Sequence, residues 1–146
     1  MGPKPAPDAP HMASQREETA RMALDQGAAV VADELHAKPL GPQADGAVRA
    51  KMHQMIASSD SRGIAALVRG IARRPDPALV LSRLAMPVLV IAGEKDPFSP
   101  LADVTRVAEL LPNAELVVLK GVGHMMPLEV PLAVCGALAD FVVRLP

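Results

Sequence analysis

From Ser14 to about Leu35, apolar side chains return at three- and four-residue steps through Ala20, Ala23, Leu24, Ala28, Val31 and Leu35. That spacing gathers them on one face of a helix. Gln26-Gly27 weakens the middle of the run and leaves open a division into two helices. Pro39, Gly41 and Pro42 break the pattern. Val48, Met52, Met55 and Ile56 then mark a short helix that stops at Ser58-Ser59-Asp60. Ile64, Leu67, Val68 and Ile71 define one face of a third helical run, with Asp60 or Ser61 as its N-cap. At Pro87 the period changes. Val88–Ala92 is a continuous apolar run rich in β-branched residues, the pattern of a parallel strand covered on both faces. Ser99-Pro100 predicts a capped helix start, followed by Leu101, Val104, Val107, Ala108 and Leu111 on an amphipathic helix. Glu115–Leu119 is a second strand, Gly121-Val122-Gly123 a loop, and a last helix starts near Leu128. On that helix Leu132, Cys135, Leu138 and Val142 form the face expected to be buried.

Three regions follow: residues 1–13, an extended arm punctuated by Pro3, Pro5, Pro7 and Pro10; residues 14–85, helical; and residues 86–146, a strand-helix-strand-helix unit. The fold class is α/β, with two parallel strands. Composition trims the list of functions. With 15 basic against 16 acidic side chains the net charge is −1, which gives no field for nucleic acid. Two phenylalanines and no tryptophan or tyrosine rule out base-stacking platforms. No apolar stretch approaches the roughly 18 residues of a membrane helix, and the start MGPKPAPDAP lacks a signal-peptide core. A soluble, cytoplasmic protein is expected. Cys135, the single cysteine, forms no internal disulfide and reads as a buried structural thiol on the apolar stripe of the last helix.

Parallel strands end on the same rim of their sheet. The segments leaving that rim are Gly93-Glu94-Lys95-Asp96 and Gly121-Val122-Gly123-His124. If the strands are neighbours, about 4.8 Å apart, Asp96 and His124 emerge side by side. A carboxylate there fixes the imidazole tautomer and raises the basicity of the other ring nitrogen, as a general base requires. Glu94 reads as a solvated turn residue, Ser99 as a helix cap, and Ser58, Ser59 and Ser61 as turn or cap residues. Arg69, Arg73 and Arg74 read as a solvated helix end. Met52, Met55, Met125 and Met126 read as core or pocket lining. His11, His36 and His53 lack metal-site spacing, but with His124 and Asp96 they could converge on a zinc ion in the fold.

Residues 86–145, MPVLVIAGEKDPFSP through LPNAELVVLKGVGHMMPLEVP to ALADFVVRL, resemble the C-terminal end of an α/β-hydrolase. There the acid follows one strand in a G-x-x-D turn and the histidine follows the next in a G-x-G-H loop. The resemblance assigns those roles to Asp96 and His124. The helical region is similar to the family's lid, of three to four helices, and the nearest flavour is the lactonase- and esterase-like group related to 3-oxoadipate enol-lactonase. The arm PAPDAPHMASQREETARM resembles the lead into such a lid. The chain departs from the family in one respect. None of Ser14, Ser58, Ser59, Ser61, Ser82 and Ser99 lies in the G-x-S-x-G nucleophile elbow, and the oxyanion loop is missing. What the resemblance implies is a truncated α/β-hydrolase, completed by dimerisation.

Three functions are consistent with these residues. One is a hydrolase of activated carboxylic esters, lactones or phosphotriesters, with water activated by His124-Asp96 or by a metal. Another is the acid- and histidine-bearing half of a split serine hydrolase, completed by a complementary fragment. The last is a non-catalytic ligand-binding or oligomerisation module. Two strands alone leave open edges, so a homodimer or a complementary hydrolase fragment is the expected partner.

Overall fold

The computed structural model describes residues 10–145, with the backbone alone described at Pro10. Residues 1–9 of the expected arm lie outside the described residues. The expected arm is shorter at its other end, because the first helix, α1, already runs over Pro10–Gln26. Proline at a first helical position gives up an N–H that has no partner there.

The chain forms two compact units. One comprises, of the described residues, 10–38 and 46–76. It holds α1, α2 (Ala28–Leu35), α3 (Gly46–Ala57) and α4 (Ser61–Ala72). Gly27, at φ 93°, separates α1 from α2, so the run is two helices. α1 packs on α4 and on α2, and α2 packs on α3. The buried side chains in this unit are small: Ala20, Ala23, Ala28, Val31, Ala32 and Ala65. Leu24 and Leu67, expected on the buried faces, are exposed instead. Asp60 is the N-cap of α4, its carboxylate accepting from the Arg62 N–H at 3.2 Å. Arg69 is not a free solvated cation. Its Nε and Nη2 donate to the two carboxylate oxygens of Glu17 at 2.9 and 2.7 Å, a fork that ties α4 to α1.

The other unit comprises residues 39–45 and, of the described residues, 77–145. After α5 (Ala78–Leu81) come β1 (Val88–Gly93), α6 (Leu101–Leu110), β2 (Ala114–Leu119), α7 (Met126–Glu129) and α8 (Pro131–Val143). The strands pair in parallel, with Val88 opposite Ala114 and Gly93 opposite Leu119. Val90 and Ala92 of β1 pack with Val104, Val107 and Leu111 of α6 and its C-cap to make the core. Leu81 and Leu84 join that cluster, and residues 77–85 fall in this unit. The two faces of β1 are unequally covered: Val90 and Ala92 are buried, whereas Leu89 and Ile91 remain half-buried. α8 touches β1 yet has no buried residue. The expected single last helix is two, because Pro131 has no N–H to continue α7 and Val130 breaks away at φ −141°. No helix among the described residues is long and apolar enough to cross a membrane.

Candidate functional site

Chain direction and pairing put the ends of both strands on one rim, and backbone hydrogen bonds lace the two exits together. The Glu94 N–H donates to the Leu119 carbonyl at 2.9 Å and the Lys95 N–H to the Val122 carbonyl at 2.8 Å. The Glu94 carboxylate accepts from the Gly121 N–H at 2.9 Å. That N–H, followed by the Lys95 charge, holds the Glu94 carboxyl below the ordinary glutamate range. Glu94 therefore ties the two exits rather than simply facing water. The approach of the strands is so close that a Cβ on Gly93 would fall on the carbonyl oxygens of Gly123 and Val122. Glycine is required at that position for steric reasons.

Asp96 and His124 meet here. His124 Nδ1 lies 2.7 Å from Asp96 Oδ2, and the two side chains are 14% and 3% exposed. An ionised carboxylate only accepts, so the shared proton sits on Nδ1 and donates to Asp96. Nε2 is then the nitrogen left unprotonated in the neutral ring. Asp96 Oδ1 is also engaged, accepting from the backbone N–H groups of Phe98 at 2.8 Å and Ser99 at 3.0 Å. Burial alone would push the Asp96 carboxyl up. The hydrogen bond from His124 and those from Ser99 and Phe98 outweigh it, leaving the carboxyl below its ordinary value. The Phe98 ring meets the imidazole edge-on, with centroids 5.5 Å apart at 85°. The backbone N–H of His124 donates to the Pro39 carbonyl at 2.6 Å.

Other expected residues fall elsewhere. Ser99 is fully buried, but its side chain does not cap α6. The N-cap is Pro100, and Ser99 instead gives its backbone N–H to Asp96. Cys135 is exposed, not buried, as are Leu132, Leu138 and Val142, because no described element covers that face of α8. Met55 is exposed, whereas Met52, Met125 and Met126 are half-buried. His36 and His53 are brought together with ring centroids 5.2 Å apart. His53 Nε2 lies 2.7 Å from Asp33 Oδ1, and His36 Nδ1 donates to the Ala32 carbonyl at 2.8 Å. His11 is exposed on α1. Among the described residues no group of three or more His, Cys, Asp or Glu is arranged to hold a metal ion. Of the expected zinc set, His36 and His53 lie together in the helical unit, and His124 and Asp96 lie together in the other. His36 already spends a ring nitrogen on a helix carbonyl, and His124 spends one on Asp96.

Two residues at the site carried no mark in the sequence. Phe98 flanks the imidazole, and its only signal was its place in the turn after Asp96. Glu129 binds three backbone N–H groups around the histidine loop, and its only signal was its position five residues beyond His124.

A family profile described as the alpha/beta hydrolase fold matches residues 9–131. Among solved structures, the chain is similar to a thermophilic esterase from Thermogutta terrifontis at 29% identity and a TM-score of 0.89. That match covers 97% of this chain and 53% of the esterase. It is also similar to the enol-lactonase from Burkholderia xenovorans LB400, at 22% identity and a TM-score of 0.82, over 97% of this chain and 54% of the other. MenH from S. aureus shares 18% identity at a TM-score of 0.82, over 92% and 52%. The chain thus spans about half the length of the structures it matches.

Proposed function

We propose that this chain, which belongs to the α/β-hydrolase family, carries the base and the orienting acid of an ester-hydrolysing centre. His124 is the base and Asp96 the acid. The observation that carries this reading is the 2.7 Å bond from His124 Nδ1 to Asp96 Oδ2, which leaves Nε2 for a substrate-side proton. Carboxylic esters and lactones are the substrate class, in keeping with the similarity to an esterase and an enol-lactonase.

His124 Nε2 takes a proton from water as the water oxygen bonds to the carbonyl carbon. The imidazolium then returns that proton to the leaving oxygen as its bond to carbon breaks, giving acid and alcohol. Asp96 stays ionised throughout and stabilises the imidazolium. With water as the nucleophile, activated esters with good leaving groups are the suitable substrates. No step needs a metal, so a chelator is expected to leave turnover unchanged.

A second reading is favoured by one further observation: the match spans about half of the related chains. In that reading the other half of the fold supplies a serine nucleophile, and His124 activates the serine instead of water. Para-nitrophenyl acetate hydrolysis, followed together with the intact mass of the protein, separates the two. Direct water activation predicts steady turnover by the purified chain with no acylated species, lost in His124→Ala. Completion predicts that the chain alone is inert and that an acyl group accumulates on the added half. Turnover undiminished by His124→Ala would overturn both.

A further inference from the structure

The geometry points to Glu129 as the positioning residue for His124, a carboxylate that grips the histidine's backbone from both sides. This inference rests on the reading of His124 as the base, and it concerns what keeps that base in place. Glu129 Oε2 accepts from the Gly123 N–H at 3.0 Å, and Oε1 accepts from the Met125 N–H at 3.2 Å. These are the N–H groups of the residues immediately before and after His124. The same Oε2 accepts from the Gly41 N–H at 2.8 Å, across 88 residues of sequence. His124's own N–H is taken by Pro39 two residues earlier in that segment. Three consecutive N–H groups are therefore held by one carboxylate and one carbonyl.

Glu94 and the Lys95 N–H fix the start of this loop at Gly121 and Val122, and the Glu129 carboxylate fixes the stretch that carries His124. Gly121, at φ 73°, gives the turn a backbone conformation that other residues rarely adopt. Backbone N–H groups pointed at an ionised carboxylate form stronger bonds than neutral pairs do. A Cβ on Gly123 would fall on Gly41 and Pro39, so the segments touch backbone to backbone with no side chain between to act as a spacer. Removing the carboxylate frees the N–H groups of Gly123 and Met125 on either side of His124. The imidazole then drifts from Asp96 although both members of the pair remain.

The test reads the pair without requiring catalysis. In proton NMR the His124 Nδ1–H held by Asp96 gives a low-field resonance, assigned by its loss in Asp96→Asn. Glu129→Ala is expected to speed exchange of that proton by roughly tenfold or more, with core methyl signals of Val90 and Val107 unchanged. An unchanged exchange rate alongside a lowered unfolding temperature would overturn the proposal and reduce Glu129 to a structural residue. If Glu129→Ala does not fold, Glu129→Gln decides. Its amide offers one acceptor oxygen where the carboxylate offers two, so exchange faster than wild type is expected and wild-type exchange overturns the proposal. Where wild type turns over an ester, kcat should fall roughly tenfold to hundredfold in Glu129→Ala with KM nearly constant. Faster exchange in a protein whose wild type hydrolyses nothing would support the positioning role and remove only the reading in which the chain activates water by itself.

Discussion

Asp96 receives three hydrogen bonds on two oxygens, and each oxygen has a different task. Oδ1 closes the turn after β1 through the Phe98 and Ser99 N–H groups, while Oδ2 holds the histidine. Asp96→Asn separates these tasks. Its carbonyl oxygen keeps the turn, but its NH2 faces Nδ1 and forces the ring to carry its proton on Nε2, where a base must have none. Hydrolysis is expected to fall on the order of 10³–10⁴-fold with the fold retained, measured as initial rate beside circular dichroism. The acid's pH signature has a defined sign. Because the folded carboxyl titrates below its ordinary value, its contribution to stability is complete above that ordinary value, about pH 4. It is lost as pH falls through the lower folded value. Wild type should lose unfolding temperature on acidification below about pH 4, and Asp96→Asn should lose less. Asp96 and His124 were legible in the sequence because strand ends announce themselves by apolar runs closed with glycine. Glu129 was not, since its partners are backbone N–H groups, which leave no trace in residue identity.

The element that delivers the histidine is a loop whose route depends on glycine contacts between backbones. Gly93→Ala places a methyl group against carbonyl oxygens of the 121–123 loop, which cannot turn aside as a flexible side chain would. It should cost at least roughly 1–3 kcal/mol in urea unfolding. Gly70→Ala in α4 is the contrasting case, because nothing lies within 4 Å of the added carbon. Helix propensity then favours alanine by about 0.5–1 kcal/mol. Helices were legible through their 3.6-residue period, the first strand through its continuous apolar run, and element ends through stops such as Gly27. What escaped was tertiary in origin. The Pro39–Gly41 segment read as a simple break, yet Pro39, Leu40 and Gly41 are buried and hydrogen-bond the histidine loop. The break of the last helix is marked in the sequence by Pro131, although the apolar stripe beyond it reads as one continuous helix.

At the scale of the molecule, the sheet has two strands, and each has one edge without a partner strand among the described residues. Leu132 and Val143 of α8 are 87% and 84% exposed, although the helix is among the most apolar in the chain. The sequence showed the stripe but not its exposure, because periodicity tells which residues share a face and never what lies opposite. Open strand edges and an uncovered apolar helix face make the isolated chain adhesive. Light scattering should find wild type larger than one chain, and Leu132→Glu with Val143→Glu should shift it towards a single chain. A monodisperse wild-type monomer would contradict that. The central claim, that His124 backed by Asp96 is the base of an ester-hydrolysing centre, is tested most directly by one rate comparison. Para-nitrophenyl acetate hydrolysis is measured for wild type, Asp96→Asn and His124→Ala in a single assay, with the other half of the fold added if the chain alone is inert. The predicted order is wild type far above Asp96→Asn, with His124→Ala at the buffer rate; equal rates for all three would contradict the claim.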